Sequence, residues 1–487
     1  MKNQLTLERT KKDLTKRLFR AAILLTIVSK MALVVEVCPA HQTTRRIIMK
    51  SATVKQALND TIQAIADNKW LYSVRPGKDN TRNRKFPFKE MISSILAFRG
   101  GTLNREIMDF FGLDPNIGTS SAFIQQRAKI LPEAFEYLFH HFTSKVDENK
   151  LYHGLRLLAV DGSDLKIAAN PGDPDSYYPC ENGQKDYNLL HINAMYDLLQ
   201  HTYMDAVIQK SRKTDESGAL TDMVDRSDIG LALLIADRNY EAYNNLAHIQ
   251  EKGWYFLIRI KDNKAGIVSG LTLPDKDEYD VPFHIRLTRK QTANTKQLLK
   301  GKNHYKFIPS TRRFDYLPQS SRRNDPAVFY DLSFRIVRFP LSDTTCETII
   351  TNLNAGQYPL SIIKQLYAMR WGIETSFRDL KHTLGLLHLH AKKVEFIYQE
   401  IFAKLTMYNF CELITQSAVI QQYQKKYAYK INFSDAVRIC FEFFLGNISP
   451  PNVEAKLMQY ISPIRPGRKD VRKQTQKSAS SFTYRIA

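Results

Sequence analysis

Tyr367, Arg370, Glu374 and Lys381 lie in the run YAMRWGIETSFRDLK at offsets of 0, 3, 7 and 14 residues. At roughly 100° per residue, the four fall within about 60° of one helix face. Leu366, Ile373, Phe377, Leu380, Leu384 and Leu387 form a neighbouring apolar stripe, which would pack the helix inward and hold Glu374 at the border of the core. Charges on a helix are commonly a solvated row of i, i+4 pairs. Such a row explains poorly why an Arg, a Glu, a Lys and a Tyr abut the core stripe. Upstream, Asp161 follows the apolar run LLAV (157–160) and Asp237 follows LALLIA (231–236). Either alone would pass for an ordinary residue that stops a strand and starts a turn.

Together with Glu374 they make three carboxylates on separate elements, the donor set of a two-metal phosphoryl-transfer site. Hard Mg2+ ions take oxygen ligands and retain positions for water and phosphate. In this reading two Mg2+ ions bind, with Mn2+ a possible substitute. Asp161 bridges both ions, and Asp237 and Glu374 complete one each. Arg370 and Lys381 hold the DNA backbone by charge-assisted contacts to phosphate, and Tyr367 adds a hydrogen bond. No histidine pair, G-x-S-x-G or Walker sequence offers a competing mechanism, and His388 and His390 read as surface or packing residues.

Positioning these groups requires an α/β layer. From 156 onward, short apolar runs alternate with turns and helices. LLAV reads as a buried strand ending at Asp161, 189–197 and 202–208 as its neighbours, 231–236 and 254–260 as further strands, and 216–226 and 242–252 as helices. Residues 261–352 break the alternation with β-type runs at 281–287, 304–308, 328–339 and 347–351, and almost no helical period. The spacing predicts one long helical pattern over 359–387, then more helix at 394–424 and 434–444. The stretch before 150 is helical: 54–66, 88–98, 104–111, 120–130 and 132–142. Within it, 104–111 and 120–130 resemble a helix-turn-helix whose second helix, carrying Gln125, Gln126, Arg127 and Lys129, would read the major groove. A plain helical bundle fits that stretch equally well.

At 487 residues several domains are expected. The boundaries read are 1–48, an N-terminal extension; 49–150, a helical DNA-binding domain; 151–261 with 352–392, the catalytic core; 262–351, a β-rich insertion; 393–462, a C-terminal helical region; and 463–487, a basic tail. Lys and Arg number 70 against 49 Asp and Glu, a formal net charge of +21, which suits a polyanionic partner. The five cysteines are scattered, with no C-x-x-C pair, so neither a zinc site nor a disulfide framework is suggested, and a reducing cytoplasm fits. Residues 11–29 have the basic-then-apolar order of a secretory signal, but Lys30 cuts the run far short of a bilayer span. Met49 is read as the natural start, and no membrane partner is expected.

The stretches LLAVDGSDL (157–165), ALTDMVDRS (219–227), LIADRNYEAYN (234–244) and YAMRWGIETSFRDLK (367–381) resemble the DDE transposases of bacterial insertion sequences, in the branch marked by Y-x2-R-x3-E-x6-K. The likeness runs from about 51 to beyond 389. It implies a ribonuclease-H-like core interrupted by a β-strand insertion before the glutamate. It also implies a nucleoid-associated enzyme that binds double-stranded DNA at the terminal inverted repeats and performs cut-and-paste cleavage and strand transfer into target DNA. A homodimer would form in the synaptic complex, and the C-terminal helices are the expected dimer contact. Relatives can stack a flipped base on an aromatic residue of the insertion, commonly Trp, but Trp70, Trp254 and Trp371 all lie outside it. Tyr305, Phe307, Phe314 and Tyr316 are the available substitutes. Two other readings remain open: a structure-selective nuclease that cuts without joining, and a non-catalytic DNA-binding regulator derived from a transposase.

Overall fold

The computed structural model describes residues 49–82, 85–112, 116–180, 185–261, 266–319, 325–342, 345–418 and 428–464. The basic-then-apolar segment at 11–29, the rest of the extension before Met49, the pair Arg322-Arg323 and the basic tail from 465 onward lie outside the described residues.

The chain divides into two compact units. Among the described residues, one comprises 49–56 with 410–418 and 428–464, the other those of 57–409. In the first, helices Phe433–Leu445 and Asn452–Leu457 accompany a two-stranded ribbon of Tyr429–Ile431 and Ile461–Pro463. Lys55 donates to the Phe443 carbonyl at 2.5 Å and lies over its ring, and Ser51 bonds Glu454.

The second unit is built on a mixed ten-stranded sheet. In chain order its strands are β1 (Arg156–Ala168), β2 (Tyr177–Tyr178), β3 (Tyr187–Asp197), β4 (Thr202–Lys210), β5 (Ala232–Ala236), β6 (Tyr255–Arg259), β7 (Tyr279–Thr288), β8 (Tyr305–Phe307), β9 (Tyr330–Ser342) and β10 (Thr345–Thr351). The spatial order is β2-β3-β1-β5-β6-β10-β9-β7-β8, with β4 also on β3. β1, β5 and β6 run parallel, flanked by antiparallel β3 on one side and antiparallel β10 on the other. The strands read from sequence as an insertion therefore continue the central sheet through the β6–β10 pairing.

The first five residues of β1 (156–160) and all of β5 are buried on both faces, as near-continuous apolar runs should be. Leu158, Val160, Leu234 and Ala236 share one cluster with Leu220, Met223 and Val224 of helix α1 (Glu216–Arg226) and with Leu246, Ala247 and Ile249 of helix α2 (Tyr243–Glu251). Because strand side chains alternate, Asp161 points to the opposite face from Val160.

Helices Phe88–Ala97, Leu103–Phe111, Ser120–Arg127 and Glu133–Lys145 precede the sheet, close to the helical spans read from periodicity. After it, the pattern read as one helix over 359–387 is interrupted. Helix α3 (Leu360–Met369) ends at Arg370, helix α4 (Trp371–Arg378) follows at once, and Asp379–Thr383 widens into a π turn. The long helix Val394–Ser417 comes next. Two further expectations are corrected. β1 runs through Asp161 to Ala168 instead of stopping there. The span 261–352 also contains a short helix, Ala293–Leu298, capped by the Thr292 hydroxyl accepting from the Thr295 N–H.

Candidate active site

The parallel pairing of β1 with β5 ends at Val160↔Ala236. Asp161 and Asp237 are the next residue on each strand, so register alone puts the two aspartates side by side where the strands part. β1 continues beyond this point in antiparallel register with β3, with Asp161 opposite Ala194. β5 instead turns, and Asp237 caps the short 3-10 turn Arg238–Tyr240 by accepting from the Asn239 N–H at 2.8 Å. The carboxyl ends of parallel strands are where open α/β sheets place ligands.

Arg370 connects the third carboxylate to this pair. Its Nη2 lies 2.8 Å from Glu374 Oε1 and its Nη1 3.8 Å from Asp161 Oδ2. The guanidinium is almost wholly buried, flanked by the rings of Tyr367 and Trp371. Asp161 and Glu374 keep 19% and 34% side-chain exposure, so the cluster opens to solvent on the carboxylate side.

The electrostatics follow from one guanidinium among three carboxylates. Burial pushes the Asp161 carboxyl up to about 7; Arg370 opposes that rise, and Asp237 and Glu374 add to it. For Arg370, burial works against the charge, but Tyr367, Glu374 and Asp161 outweigh it and the guanidinium is raised. Tyr367 is buried, and its phenol is raised chiefly by that burial. Neither the Tyr367 hydroxyl nor Arg370 Nε has a hydrogen-bond partner. Among the described residues, no three His, Cys, Asp or Glu side chains are gathered closely enough to hold a metal ion as they stand.

Lys381 sits on the π turn, and its ammonium reaches β1, donating to Ser163 Oγ at 2.8 Å and to the Asp164 carbonyl at 2.5 Å. Burial lowers its pKa. The structure thus brings Asp161, Asp237, Glu374, Arg370 and Tyr367 into one electrostatic neighbourhood and sets Lys381 two residues along the same strand.

Other participants escaped the sequence reading. Arg259 on β6 pairs with Glu347 on β10 at 3.3 Å, and both act on the charge of Tyr367. On the opposite face from Asp161, His191 lies 2.7 Å from Asp164 Oδ1 and 3.0 Å from Glu216 Oε1. A Cβ on Gly162 would come within 2.3 Å of that imidazole, so only glycine lets β1 pass it. Tyr240, immediately after Asp237 and Arg238-Asn239, buries its hydroxyl without a partner.

The expected DNA-reading helix does not offer all the side chains assigned to it. Arg127 is buried, with Nε on Gln399 Oε1 at 2.7 Å and Nη1 on Glu400 Oε1 at 2.9 Å, and Gln126 is buried against Asn80. Both are consumed by interior hydrogen bonds, while Gln125 is exposed and Lys129 half-buried. Of the aromatic substitutes, Phe314 is buried against Tyr316 and Tyr330, whereas Phe307 is the most open at 36% exposure. No described helix is long and apolar enough to cross a membrane.

The chain is 23% identical over 350 residues to the transposase InsG for insertion sequence element IS4 of Escherichia coli (strain K12), covering 68% of this chain and 71% of the relative. It is 24% identical over 289 residues to the transposase for insertion sequence element IS231B of Bacillus thuringiensis subsp. berliner, covering 55% of this chain and 58% of the relative. A solved structure, the cryo-EM piggyBac transposase synaptic complex with hairpin DNA, aligns over 90% of both chains at 10% identity and a TM-score of 0.41. Residues 152–410, more than half the chain, match the family described as the transposase DDE domain. Asp161, Asp237 and Glu374 all fall inside that match, and the chain belongs to the DDE-domain transposases.

Proposed function

We propose that this chain is a metal-dependent DNA strand-transfer enzyme that binds the terminal inverted repeats of its element and cuts and pastes it, with Asp161, Asp237 and Glu374 as the catalytic carboxylates. The observation that carries the reading is the convergence of the three. Strand register sets Asp161 beside Asp237, and Arg370 ties Asp161 to Glu374. The order β4-β3-β1-β5-β6, three antiparallel strands followed by two parallel ones, supports a ribonuclease-H-like core.

The donor set has the chemistry of a divalent-ion site, with the three carboxylates needing to draw closer than they stand to share the ions. Three carboxylates exceed the single buried cation among them, and the Asp161 carboxyl is raised chiefly by burial, with Asp237 and Glu374 adding to the rise. A divalent cation would relieve that excess. Asp161, Asp237 and Glu374 would be the ligands, and bound Mg2+ or Mn2+ supplies activation of the attacking oxygen and stabilisation of the leaving one.

The chain's own groups do the rest. Arg370 holds Glu374 in place, and its buried Nε and the buried Tyr367 hydroxyl are unpartnered donors that a phosphate oxygen would reach only once the site opens around it. Lys381 fixes β1 just after Asp161 with two of the three donors of an ammonium, and the third suits a phosphate. Double-stranded element ends and target DNA are the substrates, and a homodimer would pair two ends.

Incubating the purified chain with DNA carrying the element's ends and Mg2+ tests the reading. Cleavage and joining are expected, and Asp161→Ala, Asp237→Ala and Glu374→Ala should each abolish both while leaving end binding largely intact. Near wild-type cleavage by any one variant removes that residue from the site. Cutting without joining would identify a nuclease instead.

A further inference from the structure

The helix read from sequence as the DNA reader buries Gln126, and the partners of Gln126 give that burial a purpose. Its Nε2 donates to Asn80 Oδ1 at 2.8 Å, and Asn80 Nδ2 donates in turn to Ser73 Oγ at 2.9 Å. All three side chains are buried. The same loop is tied by its backbone to the segment after the helix: the Val74 N–H donates to the Lys129 carbonyl at 3.0 Å, and the Leu131 N–H to the Tyr72 carbonyl at 2.9 Å. Asp79 closes the far side, accepting from the Arg75 backbone N–H at 3.1 Å and from its guanidinium at 2.9 Å. Residues 69–80 therefore form a loop fastened at several points.

What this loop shows to solvent is apolar. Trp70 is 58% exposed and Leu71 51%, the two most open large apolar side chains among the described residues, and Val74 is exposed beside them. Single exposed apolar residues are ordinary, whereas three within five residues make a patch that marks an interaction site. The surrounding charge selects the partner. Residues 68–82 and 128–132 carry Lys69, Arg75, Lys78, Arg82 and Lys129 against one carboxylate, Asp79, which Arg75 already pairs. Asp67 and Glu133 flank these segments on the neighbouring helices. Apolar wedges set among cations are what minor-groove binding uses: Lys and Arg take the phosphates, and the wedges press on sugars and base steps. A second copy docked patch to patch would bring like charges together.

We propose that the loop 69–80 is a contact for duplex DNA, with Trp70 and Leu71 pressed into the minor groove and Lys69 and Lys78 on the flanking phosphates. The inference rests on the DNA-binding reading above and moves the contact from the helix to a loop that neither the motif nor the resemblance singles out.

Fluorescence anisotropy of the full chain with a labelled duplex carrying the element's terminal repeat tests this, without divalent cation so that binding is read apart from cleavage. Trp70→Ala should weaken binding at least about tenfold. Lys78→Ala should weaken it less and lower the slope of log Kd against log salt by about one. Gln125→Ala, on the exposed face of the helix, should stay within twofold of wild type. These side chains are exposed, so Tm should hold within about 2 °C; Leu71→Ser carries the same expectation and threshold as Trp70→Ala if the latter lowers Tm further. Binding by Trp70→Ala within twofold of wild type overturns the proposal, and a larger loss from Gln125→Ala than from Trp70→Ala returns the contact to the helix. If duplex binding by Trp70→Ala is unaffected and only its capture by phosphatidylserine vesicles or its self-association without DNA is lost, the loop is a membrane or dimer surface and the proposal falls. If wild type itself binds neither this duplex nor an unrelated one, the DNA-binding reading falls as well; if wild type binds and the loop variants bind alike, the loop alone is removed.

Discussion

Two buried charge clusters in the larger unit differ in their balance. In one, Arg127 and His390 face Glu400 and Glu106. Glu400 takes Arg127 Nη1 at 2.9 Å and the His390 N–H at 3.0 Å, His390 Nε2 meets the Gly101 carbonyl at 3.1 Å, and Glu106 accepts from the backbone N–H groups of Arg99 and Gly100. Two carboxylates meet two cations, and none of these side chains leaves a buried polar atom unsatisfied. In the other, Asp161 and Glu374 share Arg370 beside Asp237, while the Tyr240 and Tyr367 hydroxyls and Arg370 Nε go without partners. The first is closed and serves the fold. The second holds surplus negative charge and unmade bonds, the features on which the proposed cation and phosphate site relies and which a structural ion network lacks.

Breaking each cluster should therefore read out differently. The largest effect expected is on chemistry: Asp161→Ala, Asp237→Ala or Glu374→Ala should cut DNA cleavage by on the order of 10^4-fold, worth about 5 kcal/mol of barrier, with the fold intact by circular dichroism. Next comes Glu400→Ala, which strands a buried arginine and histidine and should cost about 3–5 kcal/mol in urea melts. A loss below about 1 kcal/mol would mean the closed network is not what it appears on geometric grounds.

The pH dependence sharpens the comparison. Burial opposes the His390 charge, but Glu400 and Glu106 raise its pKa from 6.5 to about 9. The folded pKa lies above the unfolded one, so this contribution is fully present below about 6.5 and is lost as pH rises through about 9. Wild-type stability should drop by about 2–3 kcal/mol over that window, and His390→Asn should flatten the drop. The smallest effect belongs to Glu374→Gln without metal. Removing one of three crowded carboxylates should change metal-free stability by less than about 1 kcal/mol, in contrast with Glu400. A large destabilisation would place Glu374 in the structural class.

Much of this was legible in the residues. Apolar runs bounded by turns fixed β5 and β6, and helical period located the elements that carry Arg370 and Glu374. The placement of Asp237 just past a strand end followed from the same pattern. β1 was read too short because Gly162, Ser163 and Asp164 look like a turn, although the alternation through Leu165, Lys166 and Ile167 carries the two-residue period of a half-exposed strand. The short helix at Ala293–Leu298 had a threonine cap to announce it and little apolar period. The break at Arg370 and the π turn had no local signal, so a uniform helix gave the right residues but not the reach of Lys381 to β1. Arg127 was misread as a surface reader because its partners, Gln399 and Glu400, lie far along the chain. Arg259 with Glu347 and the bare hydroxyl of Tyr240 are likewise matters of tertiary packing.

The alignment of Val160 with Ala236 sets a rule for what insertions the chain can absorb. The connection 227–231 between helix and strand can change length without moving Asp237, because the strand keeps its partner. One residue added within Ala232–Ala236 would invert every following side chain, turning Asp237 away from Asp161 while leaving composition and hydropathy almost untouched. Variation among copies of this coding sequence should thus be free in that loop and nearly forbidden in five consecutive codons.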